Sequence, residues 1–266
     1  MQKKSLIFCG ILFMSQYVLA EEASELAEID KKRMEIIKKE LTEKGIPAPD
    51  GGVTIMPSKK MKSYEEMHVE REKLKKQMEK YGFIKKKNPQ VRRLLEAKQI
   101  TKVDLHLNAM NAMPQDSVYH KDISEIKMAY AFMGVPKSEV DTVIGFVPII
   151  TYVANKGWVG AAEVFEKAGV GLCSYSENNL KYSHGAIILA EEDITREVNG
   201  KATTLDVMGE DGTGYVYNLE WYDNNFFRQL ECTHPKYDKS ITRKVIEMAK
   251  AIDTYNTLPK IQELQQ

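Results

Sequence analysis

Cysteine is scarce in this sequence, with three in 266 residues, and tryptophan scarcer still, with two. So few cysteines exclude a small disulfide-dense scaffold. They form no Cys-x-x-Cys pair, and no His-Glu-x-x-His run stands beside them, so the short spacings of zinc sites are missing. No Gly-x-Ser-x-Gly elbow occurs either, which removes the usual sequence mark of a hydrolase serine. Net charge is absent as well: 38 basic side chains balance 38 acidic ones, so global charge singles out no partner. Apolar runs are short. Ser5–Met14 and Val140–Ala154, the latter broken by Gly145 and Pro148, both fall below the ~20 residues of a membrane span.

What the sequence does contain is a three-part export signal. Lys3 and Lys4 precede the Ser5–Met14 run, and Val18-Leu19-Ala20 then offers compact residues ahead of Glu21. This grammar predicts cleavage after Ala20, a periplasmic or secreted destination, and no membrane span in the remaining chain. The cleaved chain loses Cys9 and keeps Cys173 and Cys232. In an oxidising compartment those two are expected to form a disulfide. With 43% hydrophobic residues the chain can bury a core of useful size, in one large domain or two small ones.

Local charge is far from balanced. Residues 59–98 hold 14 basic and 6 acidic side chains, a surplus of eight positive charges, whereas residues 99–266 carry a surplus of seven negative ones. We therefore divide the chain into a signal peptide (1–20), a charged helical arm (21–98) with a linker near 45–62, and a disulfide-stapled domain (99–266). Within the arm, Met34, Ile37 and Leu41 mark a helix over 22–44, and Pro47, Pro49, Gly51 and Gly52 mark the linker. Ser63-Tyr64-Glu65-Glu66 is a capping-box pattern that opens a helix running to about Tyr81. Asn88-Pro89 opens another short one.

Downstream, Ile123–Met133 and Trp158–Ala168 read as helices, the second closed by Gly169, and Val140–Ala154 reads as a core segment. The clearest pattern spans 192–232. Asn199-Gly200 between alternating segments is a hairpin signal, and Tyr215, Tyr217, Leu219 and Trp221 alternate with Val216, Asn218, Glu220 and Tyr222. This predicts an antiparallel meander of about four strands with Cys232 facing inward. Ile241, Val245, Met248 and Ile252 predict a final helix lying over it. The expected fold is α+β, a helical charged arm followed by a meander packed against helices.

Candidate chemistry is thin. Asp104-Leu105-His106 resembles the start of the metal-binding strand of amidohydrolases, but Asn108 stands where the second histidine would be. A metal-dependent hydrolase built on Asp104 and His106 is therefore an alternative reading, and a secreted factor binding host or extracellular targets is another. The leading expectation is an exported non-enzymatic protein, an adaptor or structural subunit of a secretion or cell-wall assembly, with no cofactor and no metal. The surfaces expected to meet a partner are the basic residues Lys85, Lys86, Lys87, Arg92 and Arg93, and the aromatic pair Tyr222 and Phe227 on the strand face opposite Trp221. An envelope protein or an anionic envelope surface fits the basic residues, and export argues against nucleic acid.

Overall fold

The computed structural model describes Lys39 and residues 52–60, 65–87, 119–153 and 155–257. Over these residues the chain is β-rich with few helices, a mixed α+β arrangement. The signal region and nearly all of the predicted first helix lie outside the described residues, as does the segment from Asn88 to Val118.

Strand β1 (Gly52–Met56) falls within the stretch read as linker. Helix α1 (Glu65–Tyr81) follows as expected, and β2 (Ile84–Lys85) ends the region. Further along the described residues come β3 (Thr142–Val153), β4 (Gly157–Lys167) and β5 (Gly171–Asn179), then the single-turn helix α2 (Leu180–Ser183) and β6 (Ala186–Ala190). The meander is β7 (Arg196–Val198), β8 (Lys201–Glu210), β9 (Gly214–Tyr222) and β10 (Phe226–His234), and α3 (Lys239–Thr257) closes the chain. The main sheet runs β2-β8-β9-β10-β5-β4-β3, with β7 also on β8, and every pairing is antiparallel except β2 on β8. Strands β1 and β6 form a separate parallel pair.

Two of the helices expected from the sequence are not there. Trp158–Ala168 is strand β4, and of Ile123–Met133 only Ile123–Glu125 turns, as one 3-10 turn capped by Asp122. The physical reason is burial. Strand β4 lies between β3 and β5 and is buried from Gly157 to Phe165, so it lacks the polar-apolar alternation that would reveal its period.

The meander forms for the reasons its sequence suggests. Asn199 and Gly200 both take positive φ, 49° and 78°, the geometry a two-residue hairpin turn needs, and Val198 pairs with Lys201 across it. The odd-numbered residues of β9 then face one side, where Tyr215, Tyr217, Leu219 and Trp221 meet Leu205, Val207, Leu230 and Cys232. Helix α3 lays Ile241, Val245, Met248, Ala249 and Ile252 onto this face. Burying five such side chains contributes on the order of 1.5–3 kcal/mol for each large one, before entropy is set against it.

The outer edge of β3 is blunted against further pairing. His120 exchanges both backbone hydrogen bonds with Phe146 at 2.8 Å, and the Tyr119 hydroxyl donates to the Ile144 carbonyl. Two residues beyond Phe146, Pro148 presents no N–H on the same side. Beyond it Ile150 takes φ of 77° at a bulge, and its side chain lies where a Cβ on Gly160 would come within 2.9 Å.

Candidate functional site

The two faces of the main sheet differ in what they leave open. On the face covered by α3, Arg228 crosses from β10 to Glu177 on β5, with Nε 2.7 Å from Oε2 and both side chains 3% exposed. Its other arm reaches Asp223 at 2.6 Å, and the Tyr175 hydroxyl donates to Glu177 at 3.0 Å. From α3, Asp253 accepts from Trp221 Nε1 at 3.1 Å, from Asn199 at 3.0 Å and from Lys201. Burial raises the Glu177 carboxyl above its ordinary value despite Arg228. At Asp223 burial also pushes upward, but Arg228 and the Asn225 and Phe226 amides outweigh it and hold the group low. Every charge in this cage is matched to a neighbour, so it ties turn, sheet and helix together and offers nothing to a ligand.

The opposite, outer face carries a field of polar side chains held in register by three strand pairings. Thr204, Glu220, Gln229 and Ser176 make one row across β8, β9, β10 and β5. Asp206, Asn218, Glu231 and Ser174 make the next. All eight are at least partly exposed. Glu220 is the hub: its carboxylate accepts from Tyr222 Oη at 2.5 Å, Asn218 Nδ2 and Gln229 Nε2 at 3.3 Å each, and Thr204 Oγ1 at 3.5 Å. Gln229 in turn donates to Asn218 Oδ1 at 2.9 Å.

Asp206 and Glu231 flank Asn218, and no hydrogen-bond donor among the described residues reaches either carboxylate. The strand spacing of ~4.8 Å places their backbones roughly 10 Å apart. Partial burial and the charge of Glu220 push Glu231 up to about 7. Asp206 is exposed, yet desolvation by the surrounding strands and the charge of Glu220 raise it too, with Arg71 of α1 opposing them. Arg71 itself pairs with Asp193. On the far side of the Glu220 row, Tyr222 and Phe227 stack at 5.4 Å, and Asn178 continues their row. Asn178 is 7% exposed, and its Oδ1 is buried without a hydrogen bond. The whole arrangement is rich in acceptors and open carboxylates, and so suits a cationic or donor-rich ligand.

Of the residues singled out in the sequence, Cys173 and Cys232 lie directly opposite on β5 and β10 and are joined as a disulfide. Lys85, Lys86 and Lys87 are all exposed. Arg92, Arg93, Asp104 and His106 lie outside the described residues. Phe227 is half-buried, but Tyr222 is not the exposed contact expected: it is 6% exposed, stacked on Phe227 and bonded to Glu220. Its ring supports the polar field from the side. His120 approaches Glu125 at 3.2 Å, and His184 ends α2 in the left-handed conformation. Among the described residues no three His, Cys, Asp or Glu side chains are disposed to hold a metal. No described helix is long and apolar enough to cross a membrane.

Sequence reasoning did not pick out Asp206, Glu220 or Glu231. Their signal was the second parity of the meander, the polar positions opposite the tyrosines and Trp221, once the two turns fix which residues face each other. Compared with known proteins, the chain matches no family model, no curated protein and no solved structure.

Proposed function

We propose that the protein is an exported, non-enzymatic subunit of a cell-envelope assembly, an adaptor or structural part whose outer sheet face is its binding surface. It enters the periplasm or the medium after cleavage following Ala20, and its basic helical stretch precedes the β-rich body. The observation that carries this reading is the outer-face field. One face of the sheet is closed by α3 with its charges matched, whereas the other keeps Asp206 and Glu231 open in one row and, two rows along, the buried, unbonded oxygen of Asn178. Buried polar groups are normally satisfied, and an unbonded one has room for a donor from a water, an ion or a partner. The export signal and the Cys173–Cys232 bridge support the compartment. An envelope protein is the partner we assign to this face. Lys85, Lys86 and Lys87 add a separate basic contact for an anionic surface.

Fractionation followed by crosslinking tests it. A photocrosslinker at Ser174 or Thr204 should trap an envelope protein from the periplasmic or secreted fraction, while one at exposed Lys250 of α3 should not. Recovery of the chain in the cytoplasm with both cysteines reduced would overturn the reading.

A further inference from the structure

The turn between β7 and β8 holds a reactive pair. Asn199-Gly200 is the one Asn-Gly dipeptide in the sequence, and both residues are exposed. In such a pair the backbone nitrogen of the glycine can attack the asparagine side-chain carbon, because glycine has no Cβ to crowd the approach. Gly200 leaves that nucleophile clear. A Cβ placed there meets nothing within 4 Å, and no backbone carbonyl among the described residues takes up its N–H.

The fold holds the other reactant away. Asn199 Nδ2 donates to the Lys250 carbonyl and to Asp253 Oδ2 at 3.0 Å each, and to Thr254 Oγ1 at 3.2 Å. All three acceptors belong to the last turns of α3. While α3 is docked, these bonds turn the carboxamide toward the helix, and its carbon cannot swing onto the Gly200 nitrogen.

We propose that Asn199 is a deamidation site guarded by α3, and that its conversion prevents the end of α3 from seating again. When the helix end opens, the Gly200 nitrogen bonds to Asn199 Cγ and its proton passes through solvent to the departing nitrogen. The Cγ–Nδ2 bond breaks and ammonia leaves. Water then opens the five-membered imide at one of its two carbonyls. One opening leaves aspartate, and the other leaves isoaspartate, which puts one more carbon into the backbone of the turn. Either product sets a carboxylate, which has no donor, among three acceptors. It lies against the like charge of Asp253, and the C-terminal end of a helix disfavours an anion. Lys201 is the cation at hand, and it already pairs with Asp253 and Asp223. Isoaspartate also lengthens the turn that sets Val198 opposite Lys201. The same helix end holds the Gly134 carbonyl through Asn256 at 3.0 Å, so its release reaches the strap over β4. One transient opening thus becomes permanent.

Peptide mass spectrometry on the purified chain, aged in mildly alkaline buffer with and without guanidinium, tests the guard. In the unfolded chain Asn199 should convert ahead of every other asparagine. In the folded chain it should convert at least about tenfold more slowly, since reaction there waits on local opening. This readout needs no variant to fold. The variant Asn199→Asp supplies one product directly and tests the lock by hydrogen exchange. Amides in the last turns of α3 should exchange at least about tenfold faster in it than in the wild type. That effect should shrink in an Asp253→Asn background, where the opposing charge is gone. Equal conversion of Asn199 in the folded and unfolded wild type would overturn the guard. Unchanged exchange in Asn199→Asp would overturn the lock, and either result sinks the proposal.

Discussion

Arg228 and Glu177 face each other across β10 and β5 at the centre of a charge cage, and both are sealed beneath α3. Trp221 flanks Arg228 on β9, and Asp253 reaches down from α3 to hold the indole. A single transverse row of the sheet thus contains an ion pair, a hydrogen-bonded tryptophan and the anchor of the last helix.

Removing one partner of such a pair leaves the other charged and unmatched. Arg228→Met should therefore cost about 3–5 kcal/mol. Replacing both with apolar residues, Arg228→Met with Glu177→Leu, should recover part of that loss, because no buried charge is then stranded across the row. Urea melts under non-reducing conditions check this. A double variant no more stable than the single would show that Asp223 and Asp253, not Glu177, set the cost.

The disulfide makes a second test. Two cysteines on facing strands close a covalent loop with a sequence separation of 59. In the chain-entropy account a loop of that size is worth roughly 4 kcal/mol. Thiol labelling of the unfolded, unreduced chain from Glu21 should find no free thiol. Cys173→Ala with Cys232→Ala should unfold at clearly lower urea, with the fold otherwise retained. Two labelled thiols in the unreduced wild type would refute the bridge.

The meander was legible because its strands alternate and its turns are chemically explicit. Asn199-Gly200 places β7 against β8, the Gly209–Gly214 turn places β8 against β9, and Asp223-Asn224-Asn225 places β9 against β10. Strand β4 was illegible because Ala161 and Ala162 favour helix, Gly169 imitates a helix stop, and burial on both faces erases the period. The outer-face site falls between these cases. Asp206, Glu220 and Glu231 are ordinary solvent-side residues when each strand is read alone. Only the register of three strands gathers them, and the partly buried setting of Glu231 depends on neighbours distant in sequence.

The turn at Asn199-Gly200 separates a backbone effect from a side-chain effect. A Cβ added at Gly200 meets nothing within 4 Å, so Gly200→Ala pays only for its φ of 78°, about 1–2 kcal/mol. Asn199→Gly keeps the backbone at ease but removes three bonds to α3, at the Lys250 carbonyl, Asp253 and Thr254. It should cost a similar amount, chiefly by loosening the helix. Hydrogen exchange distinguishes them: amides of the last turns of α3 should exchange faster in Asn199→Gly and not in Gly200→Ala. Identical exchange in both would mean that Asn199 acts through the turn alone.

The pH dependence of stability should be governed in part by Glu163. This residue is 4% exposed on the α3 side of β4, and its Oε2 accepts from the Val135 amide at 2.8 Å. The Gly134 carbonyl beside it accepts from Asn256 of α3 at 3.0 Å, so the carboxyl helps clamp a strap between sheet and helix. Burial pushes Glu163 up to about 7, with the Val135 amide opposing. The folded chain therefore binds a proton that the unfolded chain releases above its ordinary value of 4.5. Where the native state holds more protons, stability falls as pH rises. The contribution of Glu163 should accordingly be favourable near pH 4.5 and decline through about 7, where it levels off. A shift of this size corresponds to a few kcal/mol, about 1.4 for each unit. Glu163→Gln keeps an acceptor for Val135 but cannot ionise. The difference in unfolding free energy between wild type and variant should move with pH between 4.5 and 7, the variant gaining ground toward neutrality. A difference that stays flat across that range would mean that Glu163 ionises in the folded state as readily as in the unfolded one.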